Sequence, residues 1–343
     1  MKKFKKSTLS NHILQSVKSV IKSKKIGLDE PYLGENEKRY LKKCIESGYV
    51  SYLGEYVVNF EKKITDFTGA KYAITTNSGT SALHLACRLL EIDKNCEVLM
   101  PALSFIAPAN AITYMNGTPH FVDIEEETLG IDPQKLRNYL RKITSITKSG
   151  CINKKTKKII KAIMVIHAYG HPARIQEIVR IANEFKIKVI EDAAESLGSF
   201  FKNKHTGLFG DIGILSFNGN KVITTGGGGA LLTKSKEFYE KAKHLSTQAK
   251  VKHKWEYIHD DIGYNFRMPN INAAIGCSQF DKISKLISYK RKLARKYEMI
   301  FRNLDNVKFF KEPKQSISNY WLNTIIIEKN FKSIRNDLLK RLH

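Results

Sequence analysis

Residues 159–192, IIKAIMVIHAYGHPARIQEIVRIANEFKIKVIED, decide the fold of this 343-residue chain. IIKAIMVI (159–166) is an almost unbroken apolar, β-branched run, the pattern of a strand covered on both faces. RIQEIVRIANEFK (174–186) repeats its apolar residues at helical spacing, and KVIE (188–191) returns as a strand. Strand, helix and strand in such quick succession make a parallel crossover unit, because the helix carries the chain back to the starting edge of the sheet.

The alternation extends upstream. KYAITT (71–76), CEVLM (96–100) and HFVDI (120–124) read as strands, separated by helices at 78–90, 104–115 and 133–143. Downstream, GILSF (213–217) is a further buried strand. The expected fold is α/β, a large, mostly parallel sheet sandwiched by helices. Three helices precede it: an amphipathic N-terminal one, then 35–48 ended by Gly48, then 57–69. CINKKTKK (151–158) reads as an exposed excursion before the next strand. From Pro269 the pattern changes to long helices (270–283 and 287–304), with a late strand pair around FFKEP (309–313) and YWLNTIII (320–327). The expected division is a large domain over 28–262, with 1–27 and 263–343 forming a smaller lobe.

Composition bounds the function. Hydrophobic residues make up 42% and charged residues 27%, ordinary for a globular protein. No apolar stretch reaches the roughly 18 residues of a membrane span, and the basic N-terminus lacks the core and cleavage site of a signal peptide. Five scattered cysteines, with no C-x-x-C pair, point to free thiols in a cytoplasmic protein and not to a disulfide framework or zinc ribbon. The net charge of +25 would suit a nucleic-acid binder, but the lysines are spread along the whole chain. The expectation is solvated helix faces, with no nucleic acid and no membrane as partner.

In sheets of this kind ligands sit beyond the carboxyl ends of the strands, and three motifs fall there. In SFNGNKVITTGGGG (216–229), Lys221 follows a buried strand and precedes four glycines. It is either a solvated charge or an amine held for covalent work, which requires its pKa to fall well below about 10.4. In NSGTSALH (77–84) a strand meets a helix whose free N–H groups suit a phosphate. There Gly79 permits close approach and Thr80 and Ser81 add hydroxyls, although Ser78 or Thr80 serving as a simple N-cap explains the pattern equally. In EDAAES (191–196), Asp192 ends a strand on the face opposite Glu191, as a cap, a metal ligand or the partner of a protonated ring nitrogen. Together the three supply what pyridoxal phosphate requires: an amine, an acid for the pyridine nitrogen and a phosphate cradle, to which Ser216 adds a hydroxyl.

Other readings fall away. A P-loop is excluded because Gly213 and Gly219 lie six apart and Asn220, not glycine, precedes the lysine. His167 and His171 have the spacing of helical zinc ligands, but Gly170 and Pro172 make a helix there untenable, so no metal is expected. Phe105, in P-x-x-S-F (101–105), is a core phenylalanine by default and a ring for stacking on the pyridine as the alternative.

In this order the motifs resemble the DegT-type (DegT/DnrJ/StrS) nucleotide-sugar aminotransferases, pyridoxal-phosphate enzymes of fold type I. The resemblance runs from about Leu28 to beyond residue 300 and includes Phe60-Glu61, H-x-x-G (167–170), GYNFRM (263–268) and NINAAIG (270–276). FNGNK with TTGGGG, GHPARI and the stretch EPYLGENEKRYLKKCIESGYVS are most similar to the legionaminic-acid-pathway branch. The resemblance implies that Lys221 carries the cofactor and shuttles a proton, that Asp192 holds the ring nitrogen and that Phe105 stacks on the ring. It further implies that Thr80, Ser81 and Ser216 bind the phosphate and that Asn265 reaches the phosphate of a neighbouring subunit, making a homodimer. Glu195 stands near the ring hydroxyl, where many relatives carry glutamine. Glutamate would donate the amino group to C4 of a nucleotide-linked 4-keto-6-deoxy sugar, N-acetylated in that branch. The alternatives are a 3-aminotransferase, a dehydratase (in which this lysine is commonly histidine) or an inactive short form, since family members usually continue well past the position of His343.

Overall fold

The computed structural model describes residues 6–21 and 27–342. The basic run at 22–25 lies outside them. In chain order the elements are α1 (Lys6–Val20), α2 (Glu35–Glu46), α3 (Glu55–Thr68), β1 (Tyr72–Thr76), α4 (Gly79–Leu89), β2 (Cys96–Pro101), α5 (Ile106–Tyr114), β3 (Thr118–Val122) and α6 (Pro133–Ile143). There follow β4 (Thr144–Thr147), β5 (Gly150–Asn153), β6 (Ile159–Ile166), α7 (Ile175–Glu184), β7 (Lys188–Asp192), β8 (Phe200–Phe201), β9 (Lys204–His205), β10 (Ile212–Ser216) and β11 (Gly229–Thr233). The remainder is α8 (Lys236–Ser246), α9 (Asn270–Phe280), α10 (Ile283–Phe301), β12 (Val307–Phe309), β13 (Ser316–Ile317), β14 (Ile325–Ile327) and α11 (Arg335–Leu342).

The central sheet runs β1-β11-β10-β7-β6-β2-β3. All neighbours along this path are parallel except at β11, which is antiparallel to both β1 and β10. The reversal has a local cause. β11 follows β10 through a loop (217–228) that contains no helix to carry the chain back to the starting edge, so the chain re-enters the sheet in the antiparallel sense. Its first residue, Gly229, therefore lies level with Thr76 and Ser216, the last residues of β1 and β10. Two strand ends and one strand beginning meet at one edge.

Side chains alternate between two covered faces, as a buried parallel sheet requires. Met164 and Ile166 of β6 pack with α4 and α5 residues such as Leu85 and Ile112. Ile163 and Val165 pack with α6 and α7 through Leu136, Leu140, Ile178 and Ile181. Toward β1, the α3 and α9 residues Phe60, Ala273, Ala274 and Cys277 pack on Leu215, Ala230 and Leu232. The helix that follows Pro269 thus sits in the core of the large layer. Leu9, Ile13 and Leu14 of α1 pack instead with Ala294, Tyr297, Phe301, Val307 and Phe309 of α10 and β12. β12 pairs with β14, so both late strands exist.

One segment differs from the reading above. The stretch at 151–158 is exposed only in its middle: Cys151 and Asn153 are buried, and β5 forms a hairpin with β4 that joins β6. Asn153 holds the turn through the N–H groups of Lys155 and Thr156 and donates to Glu97 at 3.0 Å. The lysines that follow it hid a strand. The five cysteines are free and buried, and among the described residues no helix is long and apolar enough to cross a membrane.

Candidate active site

The site is built on the carboxyl ends of β1, β7 and β10. Ser78 caps α4 by accepting the Ser81 N–H at 3.0 Å, and the Ala82 N–H goes to the Ser78 carbonyl. That leaves the amides of Gly79 and Thr80 directed out of the helix, at the positive end of its dipole. A Cβ at Gly79 would come within 3.0 Å of the Ser216 side chain, so the helix start and the end of β10 are in contact. Gly229 has no alternative either, because a Cβ there would lie 2.5 Å from the Gly79 nitrogen and the Ser78 carbonyl. The glycines seat the strand under the helix terminus and keep its N–H groups clear, which is a cradle for an anion. Ser81 Oγ donates to Asn77 at 2.6 Å, and Asn77 Nδ2 donates to the carbonyl of Asn265 at 3.2 Å.

Neighbouring acids on β7 have opposite surroundings. Glu191 is fully buried and receives His167 Nε2 at 3.0 Å and the backbone N–H groups of Gly207, Phe209 and Gly210. The tautomer of His167 follows, because its Nδ1 accepts the Ala173 N–H at 3.1 Å. Glu191 is a structural pin for the 207–210 loop. Asp192 turns the other way and, among the described residues, accepts from the Ala194 N–H alone, at 3.0 Å. Burial pushes its carboxyl up, against the pull of that N–H, Lys221 and His167.

Glu195 accepts one N–H, from Tyr169 at 2.7 Å. Burial raises its pKa to about 7, opposed by Lys221 and the Tyr169 N–H and reinforced by Asp192. Lys221 sits on the turn after β10, where burial lowers its amine while Glu195, Asp192 and Asp29 pull it back up. A half-buried lysine facing underpartnered carboxyls is the arrangement covalent amine chemistry requires.

The far wall comes from the C-terminal part. Nζ of Lys221 lies 3.9 Å from the centroid of the Trp321 ring. Asn319 donates to the carbonyls of Glu195 and Leu197, both at 2.9 Å, and Ser318 donates to Gly170 at 2.9 Å. This loop is thus fastened to the one that carries Glu195. Phe105 stands beyond the carboxyl end of β2, 72% exposed, so its default reading as a core residue is corrected. It is the residue preceding α5, and a strand-to-helix junction leaves its side chain above the sheet. His171 lies edge-on between Phe310 and Tyr320, while His167 is committed to Glu191 and Ala173.

Comparison with known proteins agrees with this geometry. The sequence matches the DegT/DnrJ/EryC1/StrS aminotransferase family over residues 31–343. This chain belongs to that family. It is 39% identical over 321 residues to a GDP-perosamine synthase of Escherichia coli O157:H7, covering 93% of this chain and 83% of the relative. It is 35% identical over 319 residues to EpsN of Bacillus subtilis (strain 168), a pyridoxal phosphate-dependent aminotransferase, putative by its name, covering 93% and 79%. Among solved structures, Helicobacter pylori PseC, an aminotransferase involved in the biosynthesis of pseudoaminic acid, superposes with a TM-score of 0.83. It is 27% identical, over 93% of this chain and 82% of PseC.

As a member of the DegT family the chain is an aminotransferase that uses pyridoxal phosphate. The residues present suit that cofactor: the Gly79–Gly229 cradle for its phosphate, Asp192 for its ring nitrogen and Lys221 for its aldehyde. The structure brings Lys221, Asp192 and Glu195 into one electrostatic group and Gly79 against Ser216. Thr80 and Ser81 are on the same helix turn. Asn265 is exposed, and its carbonyl accepts from Asn77 at the edge of this cleft.

Other residues that shape the site escaped the sequence reading. Arg267 is buried against Glu61 at 2.7 Å, and Glu61 also receives the N–H and hydroxyl of Thr75, which fixes the end of β1. Both lie in quoted motifs (Phe60-Glu61 and GYNFRM), but nothing in the sequence marked Arg267 as buried. Trp321 and Asn319 gave no local signal at all.

Proposed function

We propose that this DegT-family enzyme transfers an amino group from glutamate to C4 of a nucleotide-linked 4-keto-6-deoxy sugar, as a cytoplasmic homodimer. The observation that carries this reading is Lys221, an amine whose burial lowers its pKa beside Asp192 and Glu195. When bound, pyridoxal phosphate supplies the electron sink that makes the amino-acid Cα proton labile. Asp192 orients the ring by holding its nitrogen, and Lys221 moves the proton to and from that Cα. The α4 terminus, Thr80, Ser81 and Ser216 fix the phosphate. Phe105 offers its exposed ring to one face of the cofactor. Asn265, exposed in the single chain, faces the partner's phosphate in the dimer. Glu195, with a pKa raised to about 7, accepts or gives a proton near the ring hydroxyl at neutral pH.

Two sugar classes compete. The motif resemblance favours an N-acetylated sugar of legionaminic-acid type, and the E. coli relative is named for a GDP-linked product. The deciding experiment incubates the purified chain with glutamate, pyridoxal phosphate and a panel of UDP- and GDP-linked keto sugars, then reads product mass and the aminated carbon by NMR. A new amine at C4 of one class supports the proposal. An amine at C3, or a product that has lost a hydroxyl and gained no nitrogen, refutes it.

A further inference from the structure

We propose that the face of Trp321 is the resting place of the Lys221 amine whenever that amine is not linked to the cofactor, so that Trp321 is a positioning residue of the transfer reaction. This rests on Lys221 being the cofactor-bearing amine. A transaminating lysine must leave the cofactor and return to it in each cycle. In between it is a charged group on a flexible four-carbon stem, in a cleft that also holds two carboxylates. Pairing with Asp192 or Glu195 would occupy the groups that the cofactor and the proton transfer need. In the structure the amine lies instead on the indole, 3.9 Å from the ring centroid, a separation at which the ring quadrupole favours the ammonium form.

The indole is held as a fixed platform. Its Nε1–H donates to the carbonyl of Asn220, the residue before Lys221, at 2.7 Å. The Trp321 N–H donates to Asn319 Oδ1 at 2.8 Å, and the Trp321 carbonyl accepts from Lys290 Nζ at 3.3 Å. Asn319 is in turn bound to the Glu195 carbonyl. Ring, lysine turn and acidic loop therefore move together. The charges that face the amine come from three elements: Asp192 and Glu195 at the end of β7, Asp29 ahead of α2, and Lys290 of α10 paired with Asp29 at 3.0 Å. Burial opposes the ammonium here, and the indole face offsets that penalty without neutralising a carboxylate.

The chain has two tryptophans, and Trp255 is exposed, so Trp255→Phe leaves Trp321 as the sole indole. The test follows emission of the cofactor-stripped full chain against pH, beside the pH dependence of Lys221 labelling by trinitrobenzenesulfonate, read by peptide mapping. One shared midpoint is expected, and the emission step should vanish when Lys221→Met is added. Trp321→Leu should move the labelling midpoint down by roughly one pH unit, because the ammonium loses its support, and Trp321→Phe should recover much of the shift. An emission titration indifferent to Lys221→Met, or an unmoved midpoint in Trp321→Leu, overturns the proposal. The emission arm leaves residue 321 intact and so holds even where Trp321→Leu fails to fold. Failure of the site assignment reads differently: with pyridoxal phosphate, the wild type would then form no borohydride-reducible chromophore, and the resting role would fall with it.

Discussion

Two buried acidic clusters in this molecule are built in opposite ways. Around Glu37, where α2 meets α9, the side chains of Lys282, Ser278 and Gln279 and the Gly34 N–H converge on one carboxylate. Burial alone would raise its pKa, but these donors bring it down to about 2. At the end of β7, Asp192 and Glu195 are given one backbone N–H each and their pKa values rise. A stabilising cluster satisfies its charge, whereas the one proposed as catalytic leaves charge unsatisfied for the cofactor to complete.

The contrast can be broken from its most sensitive side first. Lys221→Ala should abolish the cofactor chromophore and lower turnover by at least about a thousandfold, with folding by circular dichroism unchanged. Asp192→Asn should leave the fold intact and weaken pyridoxal phosphate binding by roughly a hundredfold, measured by titrating the cofactor-stripped protein. Glu37→Gln should behave in reverse, with normal cofactor affinity in the folded fraction and a loss of roughly 3 kcal/mol in urea unfolding at pH 7. Because the Glu37 pKa is depressed, that contribution is full above the unfolded value of 4.5 and fades as pH falls toward 2. The stability gap between wild type and Glu37→Gln should close over that window.

The smallest effect has the opposite sign. A folded-state pKa of about 7 for Glu195 means the cofactor-free chain loses stability as pH rises from 4.5 through 7, since the folded form holds its proton longer. Glu195→Gln should remove that loss and be more stable by about 1–3 kcal/mol at pH 8, with no difference at pH 4. A Glu195→Gln variant that is less stable than wild type at pH 8 would equate the two clusters and end the comparison.

What was readable along the chain followed from locality. The β6–α7–β7 unit declared itself because strands covered on both faces are continuously apolar, and Lys221, Asp192 and Gly79 each stood within a short motif at a strand end. The reversed β11 was harder, since the glycines at 226–229 read as a turn, and the task of the last of them, Gly229, is to make room under the α4 terminus against residues 150 positions earlier. The β4–β5 hairpin was obscured by the lysines around it, and Phe105 was a core residue by default until its helix junction exposed it. Trp321 and Asn319 had no legible pattern, because their meaning lies wholly in contacts with Lys221 and Glu195 about a hundred residues away.

The most direct measurement is borohydride reduction of the chain after incubation with pyridoxal phosphate, followed by peptide mapping. In a lysine-rich protein of net charge +25, nonspecific attachment would scatter over the exposed lysines. One adduct, on Lys221, is the expected result. Adducts spread along the surface with Lys221 unmodified would contradict it.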